Sequence, residues 1–133
     1  MIHPSSLLHR ALQADAIFSG TGAVLLTLGA GEFAPLLNLP QPLLREAGLF
    51  LIVYAAFVGW LSTRTSFSKI LVVAVVAGNA AWTLSSIALI FSGAVTPNVL
   101  GEIALAMQAI IVGILAELQF LGLRRSNGRM VAA

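Results

Sequence analysis

Apolar residues run along this chain in four blocks, separated by short clusters of polar, charged, proline and glycine residues. The clearest block is 69–93, KILVVAVVAGNAAWTLSSIALIFSG, which carries no charged side chain after Lys69. As a helix rising ~1.5 Å per residue it covers roughly 33–36 Å, enough to cross a hydrocarbon core of about 30 Å. Its polar residues Asn79, Trp82, Thr83 and Ser86 fall at i, i+3, i+4 and i+7, so they share one helical face. A spanning helix with a single polar face needs other helices to cover that face. The pattern therefore predicts an all-α integral membrane four-helix bundle, with spans at about 8–30, 42–63, 69–91 and 97–123.

Local signals mark the boundaries. Ser5 or Ser6 is expected to cap the first span, because its hydroxyl can accept a bond from a free first-turn amide. Residues 31–41, GEFAPLLNLPQ, hold Pro35 and Pro40 but are rich in leucine and phenylalanine, so they are expected to form a loop lying in the membrane interface. Pro42 suits the first turn of the second span, and Trp60 fits an interfacial belt near its far end. Thr96 and Pro97 read as N-cap and first residue of the fourth span. Small residues supply packing ridges: Ser19, Ala23 and Thr27 on the first span, and Ala106, Ala109, Gly113 and Ala116, following Glu102, on the fourth. Gly20 and Gly22 also read as packing glycines.

Composition agrees with lipid as the solvent. Of the 133 residues, 59% are hydrophobic and only 9% charged, and the mean hydropathy is +0.98. A soluble domain needs about 25% charged residues to solvate its surface. At this length residues 1–133 form one domain. The net charge of +2 and the pI near 10.0 do not imply nucleic acid, because no basic run is interleaved with aromatics. The first ten residues lack the basic lead and cleavage site of a signal peptide, so they are expected to stay in the mature chain. Arg10, Arg64, Lys69, Arg124, Arg125 and Arg129 fall on one side of the predicted membrane and only Arg45 on the other. That asymmetry puts both termini in the cytoplasm of a bacterial-type inner membrane, N-in and C-in.

There is an internal echo. Asp15-Ala16-Ile17-Phe18-Ser19 matches Asn79-Ala80-Ala81-Trp82-Thr83 in its polar, aromatic and hydroxyl positions, and Leu43-Leu44-Arg45-Glu46 resembles Val99-Leu100-Gly101-Glu102. Such an echo would follow from parallel duplication of a helical hairpin about an axis along the membrane normal.

Ionisable groups inside spans are costly and so are candidates for function. Asp15, five residues beyond Arg10, and Glu117, seven before Arg124, lie at similar depth. Facing each other they could share a proton, although each could equally pair with a cation at its helix end. Asn79 and Gln108 enter from opposite sides to comparable depth. Contact between them would satisfy both amides where water is absent, or, with Trp82, Thr83, Ser86 and Tyr54, would line a pocket for a lipid-like or aromatic ligand. Asp15, Ser19, Asn79, Trp82, Thr83, Ser86, Gln108 and Glu117 are thus the intramembrane polar candidates.

Other chemistry is excluded or weak. The chain has no cysteine, so disulfides, thiolate catalysis and thiolate metal sites are out. His3 and His9 both belong to the N-terminal lead and, six apart, share no helical face, and no second histidine-bearing span exists to complete a haem site. No metal-ligand cluster, glycine-rich phosphate loop or Ser–His–Asp set is present, so neither a cofactor nor an enzymatic activity is expected. The expected role is a non-enzymatic binding or accessory module, in contact with membrane lipids and assembled in a homo-oligomer or larger membrane complex. The alternative is a small proton-coupled transporter of an amphipathic or lipid-like ligand, using Asp15 and Glu117.

Overall fold

The computed structural model describes the backbone of residues 2–132 and side chains as far as Ser126. Four helices follow one another: α1 Ser6–Leu37, α2 Gln41–Ser62, α3 Lys69–Ser92 and α4 Val99–Ala132. All four are long and apolar enough to cross a membrane, α4 over Val99–Ser126. Among the described residues no strand forms, only an isolated antiparallel bridge between Ile2 and Phe67. Arg129, the last cation of the expected basic tail, lies outside the described side chains.

The caps explain where helices begin and end. Ser5 Oγ accepts the Leu8 amide at 3.2 Å, and Ser68 Oγ accepts that of Ile70 at 3.3 Å. Gly93 closes α3 at φ 76°, a left-handed conformation that glycine adopts without a Cβ clash. Three boundaries differ from expectation, the first being the end of α4, which runs on to Ala132 rather than stopping near 123. Residues 31–37 are not loop: α1 runs on through Pro35 to Leu37, and Asn38 ends it at φ 54°. Proline in a final turn forfeits only one helical bond. Burial of Ala30, Leu39 and Leu44 among Leu26, Phe33, Ala34, Leu37, Val95 and Leu105 holds that turn in place. The fourth helix is capped by Asn98, not Thr96, and starts at Val99: Asn98 Oδ1 accepts the Gly101 amide at 2.8 Å. Asn98 is fixed there because its amide donates to Leu37 O at 3.2 Å and its Nδ2 to Leu36 O at 2.9 Å.

Helix α1 packs against α2 and α4, and α3 against α4. The expected ridges lie in these seams. Ser19 and Ala23 are buried, and Thr27 meets Gly48 so closely that a Cβ there would sit 2.6 Å from the Thr27 backbone nitrogen. On α4, Ala109 and Ala116 are buried and Gly113 faces Thr83. Gly101 and Gly122 bring the two ends of α4 against Leu37 and Leu8 of α1. Gly20 and Gly22 make only ordinary contacts.

Both ends of the bundle are laced. At the end that carries the termini, the Ser5 amide donates to Ser126 Oγ at 2.7 Å, and Ser5 Oγ donates to Gly122 O at 2.9 Å. There Ile2 and Phe67 exchange both backbone bonds, tying the N-terminus to the α2–α3 turn. At the opposite end Asn38 Nδ2 donates to Thr96 O, beside the bonds from Asn98. Between the ends, α2 and α3 stand apart along their backbones and are bridged by side chains. The Phe50 ring stacks on Trp82 at 5.8 Å, and Tyr54 bonds Asn79.

Candidate functional site

The polar residues of the spans gather into two clusters. The first surrounds Asp15, which is 1% exposed on the inner face of α1. Its Oδ2 accepts from Tyr54 OH at 2.6 Å, Asn79 Nδ2 at 2.9 Å and Gln119 Nε2 at 2.8 Å. Its Oδ1 accepts from Ser19 Oγ at 2.9 Å. Asn79 Nδ2 also donates to Gln119 Oε1 at 2.9 Å, and Tyr54 OH lies 3.0 Å from Asn79 Oδ1. All four helices therefore contribute to one carboxylate, which accepts four bonds from neutral groups. None of those partners is a cation. A buried acid without a counter-charge is expensive in hydrocarbon and persists only when its lone pairs are occupied.

The second cluster lies one to two turns further along α3. Trp82 Nε1 donates to Gln108 Oε1 at 2.9 Å, and Gln108 Nε2 donates to Ser86 Oγ and to Leu105 O, both at 2.9 Å. Ser86 Oγ donates back to Trp82 O at 2.8 Å, and Thr83 Oγ1 reaches Ala109 O at 3.3 Å. This ties α3 to α4.

Between α2 and α3 these clusters back onto a half-open groove of about 370 Å³. Its walls run from Leu43 to Tyr54 on α2 and from Gly78 to Leu89 on α3, with Phe18, Ser19, Gly22 and Leu26 of α1 and Ala104, Leu105, Gln108 and Val112 of α4 behind. Twelve residues on each of α2 and α3, eleven rises of about 1.5 Å, make these walls ~16 Å long. The volume spread over that length gives a mean cross-section of about 23 Å², room for a single hydrocarbon chain. Among the described residues none that lines the groove is charged. The polar atoms of Asn79, Trp82, Ser86 and Gln108 are bonded among the helices, so the groove presents mostly methyl, methylene and ring surface. Phe50 lies nearly parallel to both Tyr54 and Trp82, at 15° and 14°, so the three rings form a stack that reaches from α2 across to α3.

The expected pairings are redistributed. Asp15 and Glu117 do not meet: Glu117 is exposed on the outer face of α4, and Gln119 occupies the place beside Asp15. Asn79 and Gln108 do not meet either, since Asn79 takes Gln119, and Gln108 takes Trp82 and Ser86. Ser19, Thr83 and Ser86 stand where the shared face implied. Gln119 and Phe50 are the residues that sequence reasoning missed. Gln119 had a signal: it follows Ala116 by three along the small-residue seam of α4, whereas Glu117 sits about 100° off it. Phe50 had none, since one phenylalanine in an apolar span is unremarked.

No group of three His, Asp or Glu side chains that could hold a metal gathers among the described residues. Comparison with known proteins gives no name to this arrangement: no family model, curated protein or solved structure matches the chain.

Proposed function

We propose that this protein is a non-enzymatic, membrane-embedded binding module that seats the apolar chain of an amphiphile in the groove between α2 and α3. The observation that carries the reading is the groove itself. It is as wide as one chain, and its polar neighbours are already bonded to one another, so an occupant gains by burying hydrocarbon rather than by replacing hydrogen bonds. At about 370 Å³ it sits near the small end of ligand pockets, which run roughly 300–1,000 Å³.

The same reading places both termini on the cytoplasmic side of a bacterial inner membrane, because the cations concentrate at that end. It also places the module in a homo-oligomer or a larger membrane complex, in keeping with the small share of each span, 17–28%, that is buried within the chain. Duplication of a hairpin is supported by the contact between echo partners: Asp15 and Asn79 bond each other, as residues near a pseudo-twofold axis would. The parted α2–α3 seam, opposite the closed α1–α4 seam, is where that symmetry breaks and the groove arises.

The test is native mass spectrometry of the protein extracted gently from its own membrane, beside a Gly78→Leu variant. Nothing lies within 4 Å of a Cβ at Gly78, which lines the groove, so a leucine there starts from open space and puts its branched end where an occupant would lie. The expected result is a reproducible bound amphiphile on the natural protein that Gly78→Leu loses while staying folded. An equal load of adduct on both proteins, or none on either, overturns the reading.

A further inference from the structure

Three features of the groove's inner end concern charge. Ser19, Tyr54 and Asn79 line that end, and each is bonded directly to the Asp15 carboxylate behind it. Among the described residues no cationic side chain lines the groove, and none is bonded to Asp15. The rings of Tyr54, Phe50 and Trp82 stack from α2 to α3 beside it, with centroids 6.3 and 5.8 Å apart.

Each feature favours the same sign of ligand. A carboxylate in a low-dielectric setting attracts a cation one side chain away far more strongly than it would across water. Ring faces carry negative quadrupole density and attract cations lodged against them, the more so when desolvated. Tyr54 donates its hydroxyl proton toward Asp15 at 2.6 Å, which pushes electron density back into its ring and makes that face a better cation partner. An anionic headgroup would meet the same carboxylate and rings as repulsion, with no arginine or lysine to neutralise it.

We infer that the groove is selective for organic monocations: amphiphiles with an ammonium-type head held against the Tyr54–Phe50–Trp82 rings in front of Asp15, and an apolar chain along the groove. This rests on the reading of the groove as a chain-binding site and names the class of its ligand. Asp15 acts from behind Tyr54 and Asn79 and does not touch the head, so its four hydrogen bonds stay in place when the ligand binds.

The experiment uses the full chain in neutral nanodiscs with three probes of equal chain length: decyltrimethylammonium, decanol and decyl sulfate. Binding is read by fluorescence of Trp82 in a Trp60→Phe background, and each affinity is normalised by partition into empty nanodiscs. The expected order is cation over alcohol over sulfate, with the cation ahead of the alcohol by about tenfold. Asp15→Asn brings the cation to within about twofold of the alcohol. Equal affinities for cation and alcohol in the natural sequence overturn the selectivity while leaving the chain-binding groove standing. Failure of all three to bind, or binding that Gly78→Leu does not reduce, removes the groove reading itself. Should Asp15→Asn not fold, Phe50→Leu keeps the groove apolar and removes the central ring. It is expected to cut the cation's advantage over decanol by about threefold or more, and an undiminished advantage overturns the inference.

Discussion

Replacing Gly48 with alanine tests how the bundle is held, because the direction of the effect follows from distances alone. A Cβ at that position would stand 2.6 Å from both the backbone nitrogen and Oγ1 of Thr27, and 2.9 Å from the Leu26 carbonyl carbon. Non-bonded carbons settle at about 3.5–4.0 Å, so α1 and α2 would have to separate by roughly 1 Å. Two of the three obstructing atoms belong to backbone, so a rotamer change cannot relieve the contact. Overpacking of this kind costs about 1–3 kcal/mol, and the helix-propensity gain from glycine to alanine returns about 0.5–1. At the midpoints of these ranges the net is a loss of about 1 kcal/mol. Gly78 on α3 is the matched control, for nothing lies within 4 Å of its added Cβ. There only the propensity gain remains, and Gly78→Ala should stabilise by about 0.5–1 kcal/mol. Reversible unfolding in mixed micelles, titrated with sodium dodecyl sulfate and followed by tryptophan fluorescence, separates the two. The midpoints should move in opposite directions. Shifts of the same sign, or a neutral Gly48→Ala, would refute the close α1–α2 crossing.

Three further outcomes follow from the polar clusters. Gln119→Leu removes a donor from Asp15 and an acceptor from Asn79, and should cost about 1–3 kcal/mol in the same assay, whereas Glu117→Gln should stay within about 0.5 kcal/mol; a larger effect at Glu117 would contradict the placement of the two residues. Trp82→Phe and Gln108→Leu should be non-additive by about 0.6–1.7 kcal/mol in a double-mutant cycle, and strict additivity would mean that their bond contributes nothing. Ser126→Ala takes the acceptor from the Ser5 amide, so hydrogen exchange at Ser5 should accelerate by about tenfold while exchange in mid-α3 is unchanged.

The long apolar runs were enough to predict the four helices, since in lipid every backbone amide must be satisfied within its own segment. Their ends were harder to read. Pro35 reads as a helix breaker, yet tertiary burial of the turn around it outweighs one lost hydrogen bond. Thr96 and Asn98 are both good caps, and what decides between them is the carbonyl of Leu37, sixty-one residues before Asn98 in the chain. For the site, a period of 3.6 correctly put Asn79, Trp82, Thr83 and Ser86 on one face. It could not say which helix each of them meets. That depends on the rotation of α4, and Glu117 and Gln119, two residues apart, lie about 160° from each other around its axis. The groove was illegible for a related reason: it comes from a seam that fails to close, and neither α2 nor α3 carries a local mark of that failure.

The lacing at both ends of the bundle has a consequence for how the groove is filled. Ser5, Ser126, Ile2 and Phe67 close one end, and Asn38 and Asn98 close the other, so entry is sideways, from the bilayer. Occupancy then follows the mole fraction of ligand among the lipids rather than its concentration in water. Each added methylene favours the membrane by ~0.8 kcal/mol, about fourfold, so an affinity quoted per litre of water keeps improving with chain length. Expressed per lipid, the same affinity should level off once the chain exceeds the ~16 Å that the groove can hold.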